Sequence, residues 1–484
     1  MYTLLLIVLP ALAALLTLGL GGRPGHARQI ALAGALAELI VAVVVWTQFD
    51  PAQGFQFGFA FDWIASAGIS FSAGIDGISM LLIVLTTFLV PLIVLSTFGH
   101  SYSKEASFYA LILFMESALV GVFVATDAFL FYLFFEAALI PVYFLAAIWG
   151  GENRIRITFK FFLYTLFGSL FMLVALVYLY FQTPGQHSSA LTALYALNLS
   201  PAAQGWVFWA FFLAFAIKMP VFPFHTWQPD TYTESPTPAT MLLAGIMLKM
   251  GVYGLIRLLL PIAPVGLAEW GWVAIVLSVT GIVYGSIIAI QQRDMKRLIA
   301  YSSFAHVGLM AAGVFSNTLN GLQGALIQML AHGINVVGLF FIVEIIFSRT
   351  KTRYLDHLGG ITQRTPHLTV YFMILLLGSV ALPLTSGFVG EFLLLAGVFE
   401  HNPWLGAVAG LTIILGAVYM LRMFQKAMFG PRSQAAETFR DLSLSERAVL
   451  VPLVIMVFWI GLYPATFLKL TEPAVSQLLR IVNG

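Results

Sequence analysis

The sequence predicts an all-α polytopic membrane protein of about fourteen transmembrane helices. Three observations point there. Only 9% of the 484 residues are charged and 60% are hydrophobic, whereas a soluble globular chain carries about 25% charged residues. The apolar residues fall into runs near the roughly 20-residue length that spans a bilayer core. Lys and Arg gather on alternate connections between those runs.

In chain order the spans are 2–20, 29–48, 77–98, 107–125, 128–147, 157–181, 205–232, 237–260, 267–290, 297–315, 321–348, 367–399, 403–429 and 446–470. The first run, MYTLLLIVLPALAALLTLGL, has no basic residue before it, and Arg23 and Arg28 follow it. It therefore reads as a retained span and not as a cleaved signal. With the N-terminus outside, connections after odd-numbered spans hold eighteen of the 23 Lys and Arg, from Arg23 and Arg28 through to Arg432, Arg440 and Arg447. The outer connections hold only Arg257, Lys469 and Arg480. One span more or fewer midway would spoil this asymmetry, so both termini are expected outside. The stretch 49–76, with its alternating GFQFGFAFDW, is expected to form a short hairpin on the outer face.

No linker or low-complexity tract divides the chain, which is one membrane domain over 1–484. Within it, residues 1–106 form the first three spans with the loop 49–76, 107–260 a first repeat, 267–429 a second, and 430–484 a C-terminal span. The repeats follow from two interruptions. Pro220 and Pro223 break span seven, and Pro383 with Gly387 and Gly390 breaks span twelve, because proline removes a backbone donor and clashes with the preceding turn. Broken helices at matching places mark ion pathways in inverted-repeat transporters. Seven and twelve stand five apart, so spans 4–8 are expected to recur, inverted, as spans 9–13.

Lys218 and Lys249 are left inside spans, as are Glu38, Glu116, Glu136, Glu344 and Glu391, with His306 and His332 beside them. A charge at mid-bilayer costs about 2.5–3.5 kcal/mol on insertion scales, so each needs a reason. Glu136 stands nine residues past Asp127, about 13 Å along a helix, and Lys218 twelve past Trp206, about 18 Å, both near the midplane. A buried lysine is neutralised by desolvation and recharged by a nearby carboxylate, which makes it a switch for proton hopping. Glu136 is the candidate partner of Lys218, Lys249 the central relay, and Glu391 the group exchanging with the far side. His306 and His332 fit either a relay or satisfied core histidines. Glu38, Glu116 and Glu344 fit interhelical hydrogen bonds or subunit contacts, Tyr232, Thr233 and Glu234 a solvated helix end, and the Trp residues interfacial anchors.

Several classes are excluded. Cysteine is absent, which removes disulfides, thiolate zinc and conventional iron–sulfur clusters. No dinucleotide or P-loop fingerprint occurs, so no cofactor-binding or metal site is expected in this chain. The scattered basic residues argue against nucleic acid as a partner and leave the lipid bilayer.

FFEAALIPVYFLAAIWGG, FAIKMPVFPFHTWQPDTYTESPTPATMLLAGIMLKMGVYGLIR, DMKRLIAYSSFAHVGLM, QMLAHGINVVGLF and TSGFVGEF resemble the antiporter-like membrane subunits of proton-pumping NADH–quinone oxidoreductase, respiratory complex I. The resemblance runs from about residue 70 to 430. It implies that Glu136, Lys218, Lys249 and Glu391 match the family's proton-path residues and His306 and His332 its central histidines. It also implies sister antiporter-like chains as partners in a bacterial inner membrane, with NADH, FMN, iron–sulfur clusters and quinone held in other subunits. A glutamate at the place of Glu391 is the habit of the family's M-type chains; L- and N-type chains and subunits of multisubunit sodium–proton antiporters usually carry lysine there. The chain stops after span fourteen, without the lateral helix of L-type chains. A sodium–proton antiporter subunit is the alternative reading, and a passive membrane scaffold a further one.

Overall fold

A computed structural model describes residues 1–22, 25–431, 433, 436–437 and 439–484. Arg23 and Arg432, two of the charges counted toward the inner face, lie outside the described residues. Twelve helices among the described residues are long and apolar enough to cross a membrane. In order they begin with α1 (Tyr2–Leu20), α2 (His26–Gln48), α3 (Gly77–Ser96), α4 (Glu105–Val124), α5 with α6 (Ala128–Ala137, Leu139–Trp149) and α7 (Arg154–Gln182).

The expected seventh span is divided into α8 (Pro201–Lys218) and α9 (Trp227–Glu234). Then follow α10 (Thr237–Ile262), α11 (Pro264–Gln291), α12 (Met295–Phe315) and α13 (Leu319–Thr350). The twelfth span is likewise divided, into α14 (Pro366–Ser379) and α15 (Ser386–His401). α16 (Pro403–Met428) and α17 (Leu444–Leu462) complete the set.

Aspartates start three of these helices where the sequence turns from loop to apolar run. The carboxylates of Asp76, Asp127 and Asp294 each accept from two backbone N–H groups in the first turn of α3, α5 and α12, satisfying donors that a helix start leaves unpaired. The most buried helices are α3, α4, α10, α12 and α13. They form the core; α1, α2, α7, α16 and α17 surround them with exposed apolar faces such as Leu16, Ile40, Phe167, Ile414 and Ile455. The expected hairpin is present: β1 (Gln56–Ile64) and β2 (Ile69–Ile75) pair antiparallel with Phe61 opposite Phe71.

Four expectations need correction. The final span stops at Leu462, and a separate amphipathic helix, α18 (Ala465–Asn483), follows and packs on α3 and α13. Pro464 is the cause, since the residue before a proline is pushed out of the helical region, and Tyr463 has φ −135° and ψ 63°. Gly387 and Gly390 are not in the break, which is 380–385 with Pro383; both lie inside α15. They permit close packing: a Cβ at Gly387 would fall 2.1 Å from the Gly378 carbonyl oxygen, and one at Gly390 2.2 Å from Gln328 Oε1. Tyr232 is fully buried and not at a solvated end. Trp227 is buried too, and serves as a hydrogen-bond donor at the first break, not as an interfacial anchor.

Candidate functional site

Helix α8 ends on Lys218, which is 2% exposed. The position suits an ammonium, because the last carbonyls of a helix are unpaired and carry partial negative charge. Pro220 and Pro223 lie in the eight residues that follow, before α9. The freed carbonyls find other donors. Ala216 O accepts from Val221 N at 2.7 Å, and Ile217 O from the Trp227 indole at 2.9 Å.

The ammonium of Lys218 stands over the Phe135 ring, 4.5 Å from its centroid. Phe135 precedes Glu136 in sequence, and Glu136 and Lys218 lie near each other without a direct ion pair; Ser169 is the other polar group beside the half-buried carboxyl. Pro141 lies four residues past the end of α5, and the span is interrupted only at Ala138, two residues after Glu136 and itself helical in φ and ψ.

Lys249 and both histidines come together. Lys249 lies between two wider turns of α10, Leu243–Met247 and Leu255–Leu259, where the hydrogen bonding is i to i+5. Such bulges are frequent at functional sites. Its Nζ donates to Ala244 O at 2.7 Å and meets His332 Nδ1 at 2.9 Å. The His332 and His306 rings lie 5.6 Å apart between centroids. His306 Nε2 in turn meets Glu391 Oε1 at 3.1 Å and the Ser379 carbonyl at 3.1 Å. That carbonyl belongs to the last residue of α14, so the second break supplies a ligand to the histidine. His306 Nδ1 meets Ser302 O at 2.8 Å. Lys249, His332, His306 and Glu391 thus form one string through α10, α13, α12 and α15, all 5% exposed or less.

Lys218 and Glu136 are not joined to this string by direct hydrogen bonds. Two members of the surroundings went unread. Gln328 and Asn335 share with His332 one stripe of α13, at i, i+4 and i+7, and line a small cavity with His306. QMLAHGIN displays that spacing openly. Arg257 is not in an outer connection but buried within α10, paired with Asp76 and donating to Tyr253 Oη at 3.1 Å. Nothing in the apolar count distinguishes a buried arginine near a helix end from a solvated one.

Of the remaining carboxyls, Glu344 accepts from Thr237 Oγ1 and faces His100 at 3.7 Å. Glu38 and Glu116 are fully buried and none of their oxygens has a hydrogen-bond partner.

Broken helices meeting a buried base–histidine–acid string define the antiporter-like class of polytopic membrane proteins. The family described as NADH:quinone oxidoreductase/Mrp antiporter, TM, matches residues 125–416, and that described as NADH-ubiquinone oxidoreductase chain 4, amino terminus, matches 44–122. The chain belongs to this family of membrane subunits. It is 41% identical over 463 residues to NADH-quinone oxidoreductase subunit M of Rickettsia conorii, covering 94% of this chain and 93% of the relative. A chain of respiratory complex I from Thermus thermophilus, solved with bound NADH, superposes with a TM-score of 0.92 at 33% identity, covering 100% of both. A chain of the Mrp complex from Dietzia superposes with a TM-score of 0.85 at 21% identity, over 99% of this chain and 51% of that one, a likeness of fold alone.

Proposed function

We propose that this chain is the M-type proton-translocating membrane subunit of an NADH–quinone oxidoreductase. The observation that carries the reading is the succession of buried ionisable groups from Lys249 through His332 and His306 to Glu391, hydrogen-bonded at both ends and bridged in the middle by two imidazole rings 5.6 Å apart, with a helix break at its far end. Each member of the string is a group that can bind and release a proton. Lys218 and Glu136 extend the path toward the side of α5 and α7, where Glu136 is half-buried. The two units 107–260 and 267–429 each contribute one span interrupted by several residues, 219–226 and 380–385.

The redox centres and the quinone site belong to partner chains, and sister antiporter-like subunits adjoin this one. The membrane is the bacterial inner membrane, with both termini on the outer face. A sodium–proton antiporter subunit is the weaker reading, since the relatives near 40% identity are M subunits and the Mrp likeness is one of fold. The test is Glu391→Gln in the assembled complex, with electron transfer and proton uptake measured together. Loss of protons moved per NADH oxidised supports the relay. An unchanged ratio removes it.

A further inference from the structure

A cavity of about 640 Å3 opens on the face that carries most of the lysines and arginines, lined by His100, Glu234, Thr237, Lys296, Glu344 and Arg353 among others. Lys296, in the first turn of α12, is 4% exposed and donates to Ser235 O at 2.6 Å. Seven residues further along α12, about 10 Å, Ser303 lines a second, small space of about 10 Å3, together with His306, Gln328 and His332. Three atoms bordering that space are buried without partners: Ser303 Oγ, Gln328 Oε1 and His332 Nε2. A space of that size with three polar partners fits one water.

Between the two cavities, α9 packs against α12. Its Gln228 and Tyr232, at i and i+4, and Ser235, which follows its last residue in extended conformation, are polar in an otherwise apolar interior. The Ser235 hydroxyl is unpartnered, and the Tyr232 hydroxyl has only the Gln228 amide beside it. Gln228 Nε2 donates across the seam to Ala300 O at 3.0 Å.

We propose that protons reach the central string from the positively charged face along the α9–α12 seam, passing Lys296, Tyr232 and Ser303 to His332 Nε2. The inference rests on the reading of Lys249 and His332 as a relay. A proton bound at His332 Nε2 is matched by one leaving Nδ1 for the unprotonated amine of Lys249, 2.9 Å away. The imidazole ends neutral with its tautomer exchanged, and the amine ends as ammonium. Lys296 acts at the mouth and Ser303 is a positioning residue for the last water.

The test uses the assembled complex in inside-out membrane vesicles. Because this chain has no cysteine, Thr237→Cys gives it a single thiol in the wall of the large cavity. A charged methanethiosulfonate applied to the positively charged face should modify it and lower proton pumping at least tenfold relative to the same vesicles before treatment, with wild type treated in parallel to account for thiols of other subunits. Complete modification with pumping unchanged overturns the proposal. Ser303→Leu, which fills the inner space, should lower pumping to a similar degree, and Ser303→Thr, which keeps a hydroxyl, should restore most of it. Should Ser303→Leu fail to assemble, the thiol result decides. Lys249→Ala, measured alongside, separates the two ideas. If it pumps normally the relay itself is wrong; if it is inactive while Ser303→Leu pumps normally, only the intake route is wrong.

Discussion

Lys249 Nζ and His332 Nδ1 approach to 2.9 Å across the α10–α13 contact, and Ala244 O is the only other hydrogen-bond partner of that Nζ among the described residues. The pair therefore joins the first half of the chain to the second by one bond between ionisable groups. Hydrogen bonds involving a charged partner contribute about 1.5–3 kcal/mol, which corresponds to roughly a ten- to hundredfold change in an equilibrium. His332→Ala should leave Lys249 held by Ala244 O alone and part Lys249 from His306. Proton pumping by the assembled complex should fall by about that factor, as read by dye quenching in vesicles, while the amount of this chain in the complex stays near the wild-type level.

Phe135 is the surface on which the Lys218 ammonium rests, at 4.5 Å from the ring centroid. A desolvated cation–π contact contributes about 2 kcal/mol. Phe135→Leu removes the ring face but keeps an apolar side chain, whereas Phe135→Tyr keeps both. Pumping should drop severalfold in the leucine variant and stay near normal in the tyrosine variant. Equal loss in both would show that packing volume, not the ring face, matters at this position.

These two sites also show what a sequence can disclose. Hydropathy and the Lys/Arg asymmetry locate segments because bilayer thickness and backbone satisfaction leave few alternatives, and α1 to α17 fall close to where those rules put them. The interruptions at Pro220, Pro223 and Pro383 are legible because proline acts locally. What proved illegible depends on distance across the fold. Glu136 and Lys218 share a depth and lie near each other, yet depth does not say whether two side chains touch, and these two form no direct ion pair. Gly387 and Gly390 looked like breakers, but their lack of a Cβ serves helix contact with Gly378 and Gln328. Arg257 looked solvated because its partner, Asp76, is 181 residues away.

That Arg257–Asp76 pair closes the C-terminal end of α10 against the start of α3. Both side chains are at most 8% exposed. Removing one member of a buried ion pair costs about 3–5 kcal/mol because the other charge is stranded. Arg257→Ala should therefore lower the unfolding temperature of the detergent-solubilised complex and reduce assembly. Asp76→Ala should be the more damaging change, since Asp76 also accepts from Ile78 N at 3.1 Å and Ser79 N at 2.9 Å, and a lost N-cap adds about 1 kcal/mol. Reversal of that order in a thermal-shift assay would mean that the cap contributes little here.

Asp441 performs a similar capping task from outside its helix, on the face opposite the hairpin. Its carboxylate accepts from His367 N and Leu368 N, each at 3.0 Å, at the start of α14, and from Leu442 N at 2.8 Å. The His367 ring adds a contact at 2.8 Å. Burial opposes ionisation, but the Leu442 and His367 N–H groups, the His367 ring and the Leu368 N–H outweigh it and hold the carboxyl below its ordinary value. A group whose acidity is greater in the folded chain stabilises above the unfolded value, about 3.9 for aspartate, and loses that contribution as pH falls through the folded value. Asp441→Asn removes the charge at every pH. The unfolding temperature of the wild type should exceed that of the variant at pH 5. The margin should narrow as the pH is lowered through 4 and toward 3, because the wild-type carboxyl then takes up the proton whose loss favoured the cap. A margin independent of pH would assign the stabilisation to hydrogen-bond geometry and not to charge.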